Sequence, residues 1–391
     1  MKKMIRLNPR TAALVAAGVI SMASGLRAEE ARLNPLLTAV SSTTLSGYVD
    51  TTVSWMLGTG NNLFGRSFDQ GSNSAPGQNK QDGFNLNVVS LSFEKPLDES
   101  PWSAGYRVQL LMGPDANALA SSSSFNPSSD FAIKEANVAL RAPIGNGLDF
   151  RLGVWTELLG YEITESFNNP NYSRSWGFFI EPIIHTGLLV SYKFNDIVSA
   201  SAGVTDNGVA SNAINSRSGN GSIKSYTGLL TLTAPDSFGA FKGSVLSLSF
   251  LDSGTSGRMD PLNYYVGLTM PTPLKWLSVG ICDDYRANGL ADNSYENAAD
   301  LYLLFQATDK LKFASRTEYA TGSAGAWNVP RNGKNNVALL GETFTAEYAL
   351  WQNVVTRGEL RWDHSLTGQR MFGDGNQRDA VSLTLDVVYK F

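Results

Sequence analysis

The sequence predicts an all-β protein, a transmembrane antiparallel β-barrel of about 16 strands with short periplasmic turns and long extracellular loops. Three observations predict it. From residue 44 to Phe391 the chain divides into segments of about ten residues in which apolar and polar side chains alternate. The connections between these segments alternate short and long. The body of the chain holds no run of about eighteen apolar residues that could cross a bilayer as a helix. Lipid offers no partner to an unpaired backbone group, so strands that span it must close on themselves.

The N-terminus reads as an export signal. Lys2, Lys3, Arg6 and Arg10 precede a short apolar run, Ala12 to Met22. Cleavage is expected after Ala28, with Ser21-Met22-Ala23 as a second small-x-small site. Residues 1–28 are therefore expected to be a signal peptide, 29–43 a periplasmic segment too short for a plug, and 44–391 the outer-membrane barrel.

Strands are expected at 44–57, 83–95, 102–113, 130–142, 147–157, 184–195, 197–206, 222–234, 240–252, 261–271, 273–285, 297–308, 310–321, 337–350, 352–364 and 379–391. The last shows the pattern most plainly. Val381, Leu383, Leu385, Val387, Tyr389 and Phe391 share one face, and Ser382, Thr384, Asp386 and Lys390 the other, with Val388 the one apolar intruder. Tight links fall at Lys95–Pro101, Pro143–Gly147, Asn195-Asp196, Pro235–Gly239, Thr272, Asp309 and Trp351. Long ones fall at 58–82, 114–129, 158–183, 207–221, 253–260, 286–296, 322–336 and 365–378. An even strand number puts both ends of the barrel on the periplasmic side. Aromatic residues mark two girdles, with Trp102, Phe313, Phe93, Phe194, Tyr348 and Tyr389 low and Trp55, Tyr319 and Trp362 high.

The opposite parity points inward and is polar. Arg107, Glu135, Arg141, Arg151, Arg316, Glu318, Arg357, Glu359 and Arg361 are expected on the pore wall, because ionised groups facing lipid at mid-depth are costly. Sixteen strands leave a lumen that wall side chains alone do not fill. Each of these charges also has a plainer reading, a cross-strand ion pair that stiffens the wall.

The third long connection differs from the rest. It carries Tyr161, Phe167, Tyr172, Trp176, Phe178 and Phe179, rings that would not be left in solvent. It is expected to fold inward at about 158–182 and constrict the pore, with Glu157, Glu162, Glu165 and Arg174 at the constriction. The three glutamates are expected to face Arg107, Arg141 or Arg316 across a narrow opening, creating a transverse field. A packed outer loop or a subunit contact is the alternative.

Composition narrows the function classes. Charged residues make up 17% and hydrophobic ones 42%, and the net charge of -4 argues against nucleic acid as a partner. Cys282 is the only cysteine, so no intramolecular disulfide can form. The two histidines, His185 and His364, adjoin Thr186 and Ser365, but neighbours in a strand point to opposite faces and cannot readily form a nucleophile and base. No metal-binding or cofactor motif is present, and no enzyme activity is expected.

The run from Gly153 to Phe194 is distinctive: Gly160-Tyr161-Glu162, then Asn169 through Arg174, then Pro182 and His185-Thr186-Gly187. With the opening strand Leu45 to Trp55, it resembles the beta-barrel porin-2 (OmpL-like) family of bacterial outer-membrane proteins. The resemblance implies a channel-like barrel in the bacterial outer membrane. It assigns no role to Glu162, Arg174 or His185. The expected function is passive diffusion of small hydrophilic solutes or ions through a water-filled barrel; the alternative is a non-conducting barrel acting as an adhesin or structural surface protein. Expected partners are outer-membrane lipid and small solutes, with a homotrimer expected by analogy with other sixteen-stranded porins.

Overall fold

The computed structural model describes residues 42–57, 68–69, 80, 82–121, 129–206, 212–217, 223–254, 260–329, 336–373 and 376–391. The expected signal peptide and most of the segment 29–43 lie outside them. The strands are β1 (Thr44–Met56), β2 (Gly83–Lys95), β3 (Ala104–Met112), β4 (Phe131–Ala142), β5 (Leu148–Thr156), β6 (Ile184–Lys193), β7 (Val198–Thr205) and β8 (Ser225–Thr233). They continue with β9 (Val245–Asp252), β10 (Leu262–Pro271), β11 (Leu277–Ala287), β12 (Tyr295–Gln306), β13 (Leu311–Gly322), β14 (Val337–Trp351), β15 (Val354–Ser365) and β16 (Asp379–Lys390). Each pairs antiparallel with its sequence neighbours, and β16 closes on β1 to complete the barrel. At the seam, Gly47 and Phe391 exchange backbone hydrogen bonds of 2.9 Å in both directions. Closure leaves the sheet with no unpaired edge.

Every expected strand is present, with small shifts at the ends. β9 starts at Val245 rather than 240 because a 3-10 turn, Asp236–Phe241, occupies the preceding link. Trp351 belongs to β14, and the turn falls instead at Gln352 and Asn353, where Asn353 adopts φ 69°. Asparagine tolerates that left-handed geometry better than most residues.

Side-chain parity follows the sequence. Along β16, Leu383, Leu385, Val387, Tyr389 and Phe391 are exposed on the outer face, and Ser382, Thr384, Asp386 and Val388 are buried inside. Two one-residue bulges break this parity. Asn87 is the extra residue of β2 against Asp50 and Thr51, and Lys134 is the extra residue of β4 against Gln109 and Leu110. A bulge lets two successive side chains point to one side. Asn87 and Val88 are both buried inward, as are Lys134 and Glu135.

The lumen is not filled with water throughout, as the sequence reading expected. At the long-loop end, returning segments bury apolar side chains within the barrel. One cluster joins Trp176, Ile180, Trp327, Met371 and Phe372 to Met56 and Leu339 of the wall. Another joins Phe68, Phe178 and Ile183 to Leu111, Ala132 and Val388. A short helix, α1 (Pro114–Leu119), turns Ala116 and Leu119 into this second cluster. The loops' own aromatic and aliphatic residues account for this filling, since removing them from water is the dominant gain available to them.

Candidate functional site: the third loop inside the barrel

The third loop, residues 157–183, leaves β5 and returns to β6. Its neck is pinned by the Glu157 N–H donating to the Ile183 carbonyl at 2.9 Å. Within it, the Asn169 side chain accepts from the Ile163 N–H at 2.8 Å and donates to the Ile163 carbonyl at 2.7 Å, bracing one turn. The loop then reaches β13, β14 and β15. β5 and β13 are eight strands apart in a ring of sixteen, so the loop crosses the bore.

Side chains on the far wall grip its backbone. Glu359 accepts from the Tyr172 and Ser173 N–H groups at 2.6 and 3.0 Å, and Glu318 accepts from the Trp176 N–H at 2.6 Å. Arg316 donates to the Ser173 carbonyl at 2.6 Å, and Arg361 donates to the Arg174 carbonyl at 2.5 Å. The Trp176 indole donates to Asp363 at 3.0 Å. Near the seam, Arg357 donates to Ser166, whose hydroxyl donates to Asp50 at 2.6 Å. Charge-assisted bonds of this kind are about twice as strong as neutral ones, and burial screens them little.

The loop carboxylates meet cations directly rather than across an opening. Glu162 accepts from Arg316 at 2.7 Å and from the Tyr302 hydroxyl at 3.0 Å. Burial pushes its carboxyl up, against the pull of Arg316 and the Ser175 N–H. Glu165 accepts from Lys134 at 2.6 Å and from Gln109 at 2.7 Å. Burial opposes ionisation there too, but the Lys134 ammonium and the hydrogen bonds outweigh it and hold the carboxyl at about 2. Glu157 pairs with His185 and accepts from Thr227 at 3.0 Å. Arg174 is fully buried: it donates to the Thr164 and Tyr172 carbonyls and stands 5.4 Å from the centre of the Phe68 ring.

The pairing expected from the sequence is therefore corrected. Of Arg107, Arg141 and Arg316, only Arg316 meets a loop glutamate. Arg107 is held in the wall by Glu94 at 3.1 Å and Glu135 at 2.8 Å. Arg141 sits at the short-turn end, bound to Asp149 at 2.6 Å and to the Asp98 carbonyl. The groups that take the glutamates, Lys134 and His185, were not among the expected pore residues. Strict alternation puts Lys134 toward lipid, and only its bulge turns it inward.

On the β1–β7 side, beneath the loop, a cavity of about 460 Å³ remains. Four basic residues line it, Arg107, Lys134, Arg151 and Lys390, and four acidic ones, Glu94, Glu135, Glu157 and Glu165. Ser90, Ser92, Gln109, Thr156, Ser191 and Ser201 add neutral polar groups. Phe167 closes one side, edge-on to Tyr48 at 4.6 Å and under the Lys390 ammonium at 4.9 Å. Glu162 and Arg174 do not reach this cavity.

The sequence profile of the family described as "Putative beta-barrel porin-2, OmpL-like" matches residues 42–391. Solved structures share the fold at low identity. An anion-selective porin from Comamonas acidovorans is 12% identical with a TM-score of 0.54, over 89% of this chain and 99% of that one. OmpF of Salmonella typhi, in complex with daunomycin, is 11% identical with a TM-score of 0.59, over 89% and 97%. A trimer form of OmpT from Vibrio cholerae is 12% identical with a TM-score of 0.55, over 89% and 99%. No match was found among curated protein sequences.

Proposed function

We propose that this chain, which belongs to the beta-barrel porin-2 (OmpL-like) family of bacterial outer-membrane porins, passes small hydrophilic solutes or ions between its third loop and the β1–β7 wall. The observation that carries the reading is the polar cavity left on one side of a loop that crosses the bore. Passage is passive diffusion, and the barrel performs no chemistry on the solute. Glu157 and Glu165 are the constriction charges contributed by the loop and its neck, set against Arg107, Lys134 and Arg151. Glu162 and Arg174 act one step back by fixing the loop, as do Glu318, Arg357, Glu359 and Arg361. Basic and acidic linings balance, which favours size over charge as the main filter.

Residues 1–28 direct export and are cleaved, and the barrel assembles as a homotrimer. The trimeric OmpT neighbour supports that last reading by analogy. Swelling of liposomes carrying the refolded barrel, in sugars of rising size, tests the proposal. Uptake should be rapid for the smallest sugars and stop sharply as size increases. A second reading, a closed surface barrel, draws on the apolar packing of Trp176, Trp327, Met371 and Phe372 at the long-loop end. A folded barrel that admits no sugar would favour it.

A further inference from the structure

Away from the cavity, the inner wall at β11 and β12 carries a cluster that the diffusion path does not use. Cys282 and Asp284 project inward from β11, and Asp300 of β12 stands in register with Cys282. All three are buried, at 3%, 3% and 2% exposure. The thiol sulfur and one oxygen of each carboxylate lie within 4.8 Å of one another. Glu181, on the returning limb of the third loop, hydrogen-bonds to Asp284. The loop makes room for these carboxylates with glycine: a Cβ at Gly177 would come 2.6 Å from Asp284 Oδ2, and one at Gly160 would strike the Glu181 carboxylate.

Asp284 Oδ1 and Asp300 Oδ1 are buried with no hydrogen-bond partner. Among the described residues, no lysine, arginine or histidine forms an ion pair with Glu181, Asp284 or Asp300. Arg316 is committed to Glu162 and Glu318. Buried carboxylates without a counter-charge are costly and either keep a proton or take a cation.

We propose that Cys282, Asp284 and Asp300, closed by Glu181, bind one divalent cation of the zinc class. One thiolate and three carboxylates make a four-donor set of the kind zinc accepts, whereas calcium and magnesium favour oxygen alone. Two donors on one zinc ion stand at most roughly 4.6 Å apart, twice the metal–sulfur distance, so the observed spacing needs only small side-chain rotations. Binding releases the thiol proton and the proton shared by Glu181 and Asp284. The cation would then clamp the returning limb of the loop to the wall.

The test refolds the full barrel with cobalt(II) alone and removes unbound metal. The expected result is one cobalt per barrel with a thiolate-to-cobalt charge-transfer band, lost when zinc is added. Cys282→Ser should fold, judged by heat-modifiable gel migration, and lose the band. Asp284→Asn combined with Asp300→Asn should weaken cobalt retention by about tenfold or more. If Cys282→Ser fails to fold, the wild-type spectrum and the double carboxylate variant decide. A wild-type barrel that retains no cobalt, that holds it without the thiolate band, or whose carboxylate variant retains it equally well overturns the proposal.

Discussion

Arg316 on β13 holds Glu162 of the third loop at 2.7 Å, half the circumference of the barrel away from the strand where the loop begins. The same guanidinium also donates to Ser173, Arg174, Thr343 and Glu318, so one side chain ties loop to wall at several points. Replacing Arg316 with Met leaves Glu162 buried without its cation. Breaking such a pair from one side costs about 3–5 kcal/mol. Hydrogen exchange at the Tyr172 to Trp176 amides is expected to quicken markedly in Arg316→Met, and to recover in part when Glu162→Gln removes the stranded charge.

Glu165 predicts how the loop responds to acid. Its carboxyl titrates at about 2, below the ordinary 4.5. A depressed value means that the unfolded chain binds the proton more readily than the folded one. The stabilisation is therefore complete above about 4.5 and is lost as pH falls toward 2. Loop amides should stay protected at pH 4 and exchange freely only near pH 2. With Lys134→Met the opposing cation is gone and burial dominates, so protection should fail at higher pH. Equal pH profiles for the two proteins would contradict the pairing.

Charge preference should be movable from the cavity. Arg151→Glu with Lys390→Glu changes the lining from four basic and four acidic residues to two and six. The reversal potential in an asymmetric salt gradient is expected to move toward cation selectivity, and the shift should shrink at high ionic strength as screening shortens the field. An unmoved potential would place the ion path elsewhere.

The barrel seam offers a stability test. A Cβ at Gly47 would come 2.6 Å from the Phe391 ring and closer still to the Ser90 carbonyl. Gly47→Val should thus impair closure of β1 against β16 and β2, seen as a lower refolding yield in detergent. Phe391→Leu, which thins the ring above Gly47 without adding bulk, should be much milder.

The barrel was legible because its signal is redundant. Sixteen alternating segments each vote for the same two faces, and loop length sorts the two ends. The loop's inward fold was legible from Trp176, Phe178 and Tyr172, whose burial no solvent-facing connection could provide. What hid was anything that depends on one residue of register. Lys134 reads as lipid-facing until its bulge is known, and Asn87 likewise. Partner choice hid too: Arg107 and Arg316 look alike in sequence, yet Glu94 and Glu135 claim the first while only the second faces the loop. The inward packing of Trp327, Met371 and Phe372 was masked by the glycine and asparagine around them.

The central claim is that a loop crossing the bore leaves one narrow, polar passage. Single-channel conductance of the refolded barrel, wild type beside Arg316→Met with Glu162→Gln, tests it most directly. The account predicts small ohmic steps for the wild type and larger, noisier ones once the loop is loosened. A wild-type barrel that is folded but silent, or two proteins with identical conductance, would contradict it.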